Sequence, residues 1–206
     1  DDAAARVRAA LGEAHPGRPA DAPAVVHEGA VPRARHEIDQ LGRELAAAHA
    51  GDPWHGPSRA AVLANVGAAD AARRPAGGAH SMWEIVLHMT AWTSEVARRL
   101  RGGTPAEPAA GDWPAAPAGD AATADAWNAA RAALDAAHAE LLAALRQLPA
   151  EQLEAVVGEG RDAPLGTGVT YGAMVRGLLQ HDAYHSGQIA ILRRVQRQPD
   201  SSDPVG

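Results

Sequence analysis

Four long segments of the chain place apolar side chains three or four residues apart, and this spacing limits the fold more than any other feature. An α-helix repeats every 3.6 residues, so each segment presents one apolar stripe that must be buried against other helices. No segment alternates as a half-buried strand does. The pattern predicts an all-α protein built as a four-helix bundle. The expected long helices run from Pro32 to near Gly51, from Ser81 to before Gly102, from Thr123 to Leu148, and onwards from Thr170.

The segments outside the helices set the expected domain limits. Residues 1–31 are rich in Ala, Pro, Gly and Asp and are typical of a flexible N-terminal tail. Residues 32–197 are expected to form the bundle domain, and residues 198–206 a C-terminal tail. The connection over residues 102–122 is long, and we expect it to leave the second and third long helices free to run parallel.

The composition of the 206-residue chain excludes several kinds of function. A net charge of −6 without any basic block argues against nucleic acid and anionic membranes as partners. There is no cysteine, and all 19 basic residues are arginine, which excludes thiolate ligands, a cysteine nucleophile and Schiff-base lysines. No apolar run approaches the roughly 20 residues that cross a bilayer, and the opening DDAAARVRAALGEAHPGRPADAP lacks the apolar centre of a signal peptide. We therefore expect a soluble, cytoplasmic protein.

Two histidines four residues apart, His181 and His185, lie on the stripe of the last helix that should face the core. A helix rises about 1.5 Å per residue, so the two rings stand about 6 Å apart on one face and can share a metal ion. His88, on the inward stripe of the second long helix, would complete a set of three ligands with one open position, as in catalytic sites. Burying adjacent titratable rings is unfavourable unless something binds them. The alternative is a metal-free cluster of core histidines.

Further residues on the same helix faces are candidates for supporting roles or for the pocket. Glu84 completes a predicted S-x-x-E capping box one turn before the first histidine. Gln188 lies near the metal face and can hydrogen-bond a bound water, whereas Asp182 and Tyr184 are expected to be solvated or packed flanks. His138 is the candidate for a fourth ligand, or else a core residue. The full set is Glu84, Gln188, Asp182, Tyr184, Trp92 and His138.

Two hydrolytic arrangements do not fit the spacing. Asp182 occupies the position of the glutamate in H-E-x-x-H, but it is one carbon shorter, and only Asp200 and Asp203 follow as candidate third ligands. Ser186 adjoins His185, so their side chains diverge by about 100° on a helix and cannot form a catalytic pair. The sequence therefore disfavours a zincin and a serine hydrolase.

Taken as a set, HSMWEIVLHMTAW, TYGAMVRGLLQHDAYHSGQIAILRR, the loop PWHGPS and the turn DWP resemble the DinB/YfiT-like superfamily between Arg35 and Arg194. The resemblance implies an up-down-down-up bundle, often dimeric, that holds a divalent ion, most often nickel or zinc, on three histidines. His88, His181 and His185 match those ligands by position. Alanine-rich outer stripes also favour a homodimer.

The resemblance also implies a chemistry. Family members with assigned reactions include thiol-dependent isomerases and S-transferases that use mycothiol, bacillithiol or glutathione. This implies a metal-dependent transferase with a low-molecular-weight thiol as cosubstrate, and the absence of cysteine from the chain is consistent with an external thiol. A metal-dependent hydrolase and a non-catalytic, metal- or ligand-binding stress-response bundle are the alternatives.

Overall fold

The computed structural model describes residues 29–196 and contains six α-helices over that range. Within these residues no strand forms, and only one isolated bridge joins Val156 to Thr170. The predicted all-α class is therefore confirmed. The helices are α1 (Ala30–Ala50), α2 (Arg59–Leu63), α3 (Ala68–Ala72), α4 (Met82–Leu100), α5 (Ala124–Gln147) and α6 (Tyr171–Gln196), with single 3-10 turns at Gly119–Ala121 and Ala150–Gln152.

The four long helices pack around a common core. Helices α1 and α4 each contact both α5 and α6, so every long helix has two long neighbours. Helices α4 and α6 run in opposite directions, because His88 near the start of α4 lies beside His181, whereas Arg99 at its end hydrogen-bonds Leu165, just before α6. The complete up-down-down-up order stays a prediction.

Side-chain caps fix where the three later long helices begin. At α4, the Ser81 hydroxyl accepts from the Glu84 amide while the Glu84 carboxylate accepts from the Ser81 amide, which confirms the predicted capping box. The hydroxyls of Thr123 and Thr170 accept amide hydrogen bonds at the starts of α5 and α6. The caps at Ser81 and Thr170 thus fix the first residues of the two helices that carry the three candidate histidines.

Two predicted boundaries differ from the structure. Helix α1 begins at Ala30 rather than after Pro32, because proline is tolerated in the first turn of a helix, where its missing amide has no partner to lose. The sequence from Ser58 through Val62 and Val66 to Gly67 is typical of one short helix, but this helix, α2, already ends at Leu63, and α3 begins after Gly67. Apart from the start of α1 and its cap, the expected tails lie outside the described residues.

The buried apolar side chains form two clusters, one towards each end of the bundle. Along α4, the residues Met82 to Met89 belong to one cluster and Val96 to Leu100 to the other. Helix α6 contributes Leu178 to the second cluster and Ile189 to the first. The candidate histidines lie at the level between the clusters. Among the described helices, none has the length and apolarity needed to cross a membrane.

Candidate metal centre

Helices α4 and α6 bring His88, His181 and His185 together. One ring nitrogen of each lies within 4.8 Å of the others, and the Nε2 atoms of His88 and His181 face each other at 2.9 Å. His88 and His185 are buried, whereas the side chain of His181 is 28% exposed. The three residues that the sequence singled out therefore form one convergent group at the border of the bundle core.

The turn that contains Asp112 and Trp113 orients His88. The backbone oxygen of Asp112 lies 2.6 Å from His88 Nδ1, and its carboxylate accepts from Trp92 Nε1, also at 2.6 Å. The indole ring of Trp113 stacks on the His88 ring at 3.8 Å, and His80 stacks on the opposite indole face at 3.7 Å. Sequence reasoning missed Asp112, although the turn DWP was part of the family resemblance.

Gln188 orients His185 from the same helix. Its Oε1 lies 2.6 Å from His185 Nδ1, and its Nε2 donates to the Tyr184 hydroxyl at 3.1 Å. Tyr184 is 65% exposed, so this chain of hydrogen bonds runs from the buried ring to the surface. Gln188 thus contacts the ring itself, on the side away from the other two histidines.

A buried ion pair lies behind His181. Asp182 and Arg59 are 5% and 3% exposed, and Arg59 Nη1 donates to Asp182 Oδ2 at 2.5 Å. The other oxygen, Asp182 Oδ1, is 3.5 Å from His181 Nδ1, and neither of these two atoms has a hydrogen-bond partner among residues 29–196. Arg59 also reaches His49 Nδ1 through Nη2. Asp182 is therefore a fixed buried charge beside the candidate ligand, and Arg59 was not foreseen from the sequence.

His138 lies in a different cluster from the three convergent histidines. Its ring stacks on His49 at 4.0 Å, and both of its nitrogens are buried without a hydrogen-bond partner. Of the two alternatives for His138, the structure matches the core residue and not the fourth ligand, because α5 directs this ring towards α1. Glu84 likewise serves the cap of α4 and pairs with Arg74.

The histidines of the group are suited to bind a cation. Burial lowers the pKa of His88, and it lowers the pKa of His185 to about 4, with the neighbouring His181 ring adding to the effect. Both rings are therefore neutral at pH 7, which is the form that ligates metals. Carbonyl acceptors at Nδ1 of both rings favour the tautomer that leaves the Nε2 lone pair free.

The arrangement of the three histidines suits a divalent metal ion. Three nitrogens converge, two of them on rings oriented by outer hydrogen bonds, and the buried His181 Nδ1 lies close to a carboxylate. A carboxylate in that position is the usual outer partner of a metal-bound histidine. Nitrogen donors of this kind suit zinc or nickel rather than calcium or magnesium. The three histidines can hold such an ion.

Comparison with known proteins identifies a family. A family model described as the DinB superfamily matches residues 58–189, more than half of the chain, including all three convergent histidines. No curated protein and no solved structure matches the chain.

The Arg59–Asp182 pair generates a stability prediction. Replacing Arg59 with Met leaves a buried carboxylate without its partner, so we expect the free energy of unfolding to fall by about 3–5 kcal/mol. The double variant with Asp182→Leu should recover most of this loss. Denaturant titration measures both, with Arg101→Met as the control: Arg101 pairs with Glu140 on the surface, where such a pair contributes at most about 1 kcal/mol. Equal losses in the two single variants would contradict the assignment.

The buried His138 generates a pH prediction. Burial, with the nearby His49, lowers its pKa to about 3, so below about pH 6.5 the unfolded chain binds a proton that the folded chain does not. Stability therefore falls as the pH drops from about 6.5 towards 3. In His138→Leu we expect this fall to be shallower by about 1.4 kcal/mol per pH unit, measured by denaturant titration across that range. The same change at His55, an exposed loop residue, is the comparison. An unchanged slope in His138→Leu would show that this ring does not carry the effect.

Proposed function

The chain belongs to the DinB superfamily, and from this premise we propose that it binds one divalent ion, nickel or zinc, through His88, His181 and His185 and acts as a thiol-dependent transferase on small molecules. The observation that carries the proposal is the convergence of three imidazoles, two of them oriented by hydrogen bonds, beside a cavity of about 580 Å³. Structural sites are closed by four protein ligands, whereas catalytic sites leave a position for substrate. His138, the residue that could close the set, stacks on His49 instead.

The chain's own residues orient the histidine rings and limit the access of water to them. When bound, a divalent ion supplies Lewis acidity that lowers the pKa of a thiol and favours the nucleophilic thiolate. Asp112 and Gln188 hold the rings of His88 and His185 so that their Nε2 atoms face the cavity. Trp113 covers one face of His88 and keeps water from that side.

Transfer to an external thiol is favoured over hydrolysis because, among residues 29–196, each carboxylate beside the histidines already has another polar partner and none is set apart as a base for water. Asp112 accepts from Trp92, Asp182 pairs with Arg59, and Glu84 lies in its cap. A hydrolytic mechanism requires such a base within hydrogen-bond reach of the attacking water. The absence of cysteine means that the thiol must come from a separate molecule.

Metal content is the first test. Untagged protein purified without chelator should carry close to one nickel or zinc ion per chain by elemental analysis, and His185→Ala should lose it because one of three ligands is gone. His55→Ala removes an exposed loop histidine and should keep the ion. A protein that stays metal-free after reconstitution would make the three histidines a polar core cluster, and the proposal would fail.

Turnover is the second test. Metal-loaded protein supplied with a low-molecular-weight thiol and a small electrophile should form thioether faster than the same concentration of free ion, and His185→Ala should return the rate to that background. Rates are followed by the loss of free thiol. A stoichiometric metal without turnover, over several thiols and electrophiles, would favour the non-catalytic alternative of a metal- or ligand-binding bundle.

A further inference from the structure

A groove runs between α4 and α6, starting at the three histidines. Its volume of about 580 Å³ falls within the range of small-molecule sites. On α6, Ala173 and Gly177 precede His181 and His185 at four-residue intervals, so small side chains keep the groove open over the two turns before the histidines. We call this cavity the α4–α6 groove.

The groove is long and narrow rather than compact. Along α4 its wall extends from His88 to Arg99, and eleven residues of helix correspond to about 16 Å. The far end is closed by the loop over residues 161–169, which is tied to α4 because Arg99 Nη1 donates to the Leu165 carbonyl at 2.7 Å. A ligand that fills the groove is therefore elongated, with one end at the histidines and the other at this loop.

The two arginines at the far end differ in their partners. Arg99 is buried and paired with the buried carboxylate of Glu95 at 2.7 Å, so its charge is compensated. Arg161 is exposed, and its Nη1 donates to the carbonyls of Thr167 and Asp162 at 3.0 and 3.3 Å. Within residues 29–196 it forms no ion pair, and its Nε and Nη2 donate no hydrogen bond. The Nε–Nη2 edge of the Arg161 guanidinium is thus available to bind a carboxylate in two parallel hydrogen bonds.

The loop is built to hold Arg161 in this place. Gly168 has a φ of +71°, and a Cβ there would lie 2.7 Å from Arg161 Cα, so the turn requires glycine. The Thr167 hydroxyl donates to the Gly160 carbonyl and accepts from the Asp162 amide. These hydrogen bonds connect the two sides of the loop. The single acidic residue in the groove lining, Asp112, lies at the histidine end and already accepts from Trp92.

From this arrangement we propose that the α4–α6 groove binds an elongated small molecule that carries a carboxylate at the Arg161 end and presents its reacting group to the three histidines. The reaction of the ligand at the three histidines rests on the proposed function, whereas the recognition of its carboxylate by Arg161 does not. The apolar walls, which include Val96, Met174 and Leu178, bury the body of the ligand. Thiols or electrophiles without an anionic group would gain no binding affinity from Arg161.

The probe is S-methylglutathione, a γ-linked tripeptide about 10 Å long, which covers the Arg161 end and the middle of the groove rather than its whole length. It has two carboxylates and a blocked sulfur, so that binding does not require a metal-bound thiolate. Its diethyl ester is the matched ligand without carboxylate charge. Calorimetric titration of the full chain at low salt should show the acid binding at least about tenfold more tightly than the ester, since charge-assisted hydrogen bonds are lost with the ester. In Arg161→Gln the acid should bind no better than the ester. Arg194→Gln, on the exposed side of α6, should keep the preference.

A second pair of variants tests whether the ligand lies in the groove. Gly177 and Gly187 are both exposed on α6, and a Cβ at either would meet no atom within 4 Å, so both accept a large side chain without a clash at its base. Only Gly177 lines the groove. Gly177→Trp should abolish binding of S-methylglutathione, whereas Gly187→Trp should retain it.

The outcomes separate this proposal from the proposed function. Equal affinity for acid and ester, no saturable binding by the wild type, or unchanged binding in Gly177→Trp would overturn the groove proposal even if metal content and thiol turnover are as expected. Binding that depends on Arg161 and Gly177 in a protein without metal or turnover would uphold the groove and refute the transferase function alone.

Discussion

The structure depends on a layer of buried and half-buried polar side chains that crosses the bundle between its two apolar clusters. Every long helix contributes to it: His49 from α1, His88 from α4, His138 from α5, and the segment His181–His185 from α6. The ion pair between Arg59 and Asp182 lies at its centre and contacts both halves, through His49 on one side and close to His181 on the other. The short helix α2, held against α1 and α6, is what brings Arg59 into the layer.

The two sides of this layer differ because α1 and α5 pack closely around it, whereas α4 and α6 leave a groove beside it. Towards α1 and α5 the rings of His49 and His138 stack on each other, and His138 has no polar partner. Towards α4 and α6 the helices leave a groove, and outer acceptors turn the free nitrogens of His88 and His185 towards one another and His181. A histidine between two apolar clusters is therefore a core residue on one side and a candidate ligand on the other.

Helical periodicity predicted the four long helices and the inward positions of the three histidines, the S-x-x-E motif predicted the capping box at Ser81, and the family resemblance grouped the histidines as one set. Periodicity could not separate His138 from His88, because both lie on inward stripes and the pattern does not show which neighbour a stripe meets. Arg59 and Asp112 could not be found by periodicity either: one lies in a helix of five residues and the other in a long connection, and their partners Asp182 and His88 are 123 and 24 positions away along the chain. The DWP turn was the one local sign of Asp112.

The polar layer lowers the free energy of unfolding of the chain by itself, and a bound cation would offset part of this loss. Buried polar atoms without partners, including Arg59 Nε, His181 Nδ1 and Asp182 Oδ1, each cost roughly 1–3 kcal/mol. Between His88 and His181, two Nε2 atoms at 2.9 Å can share only a single proton. A cation at that position would replace this contact with two lone-pair bonds and would strengthen the attraction of His181 to Asp182. Because such an ion would bind the folded chain alone, its binding energy would add to the stability of the fold at this layer.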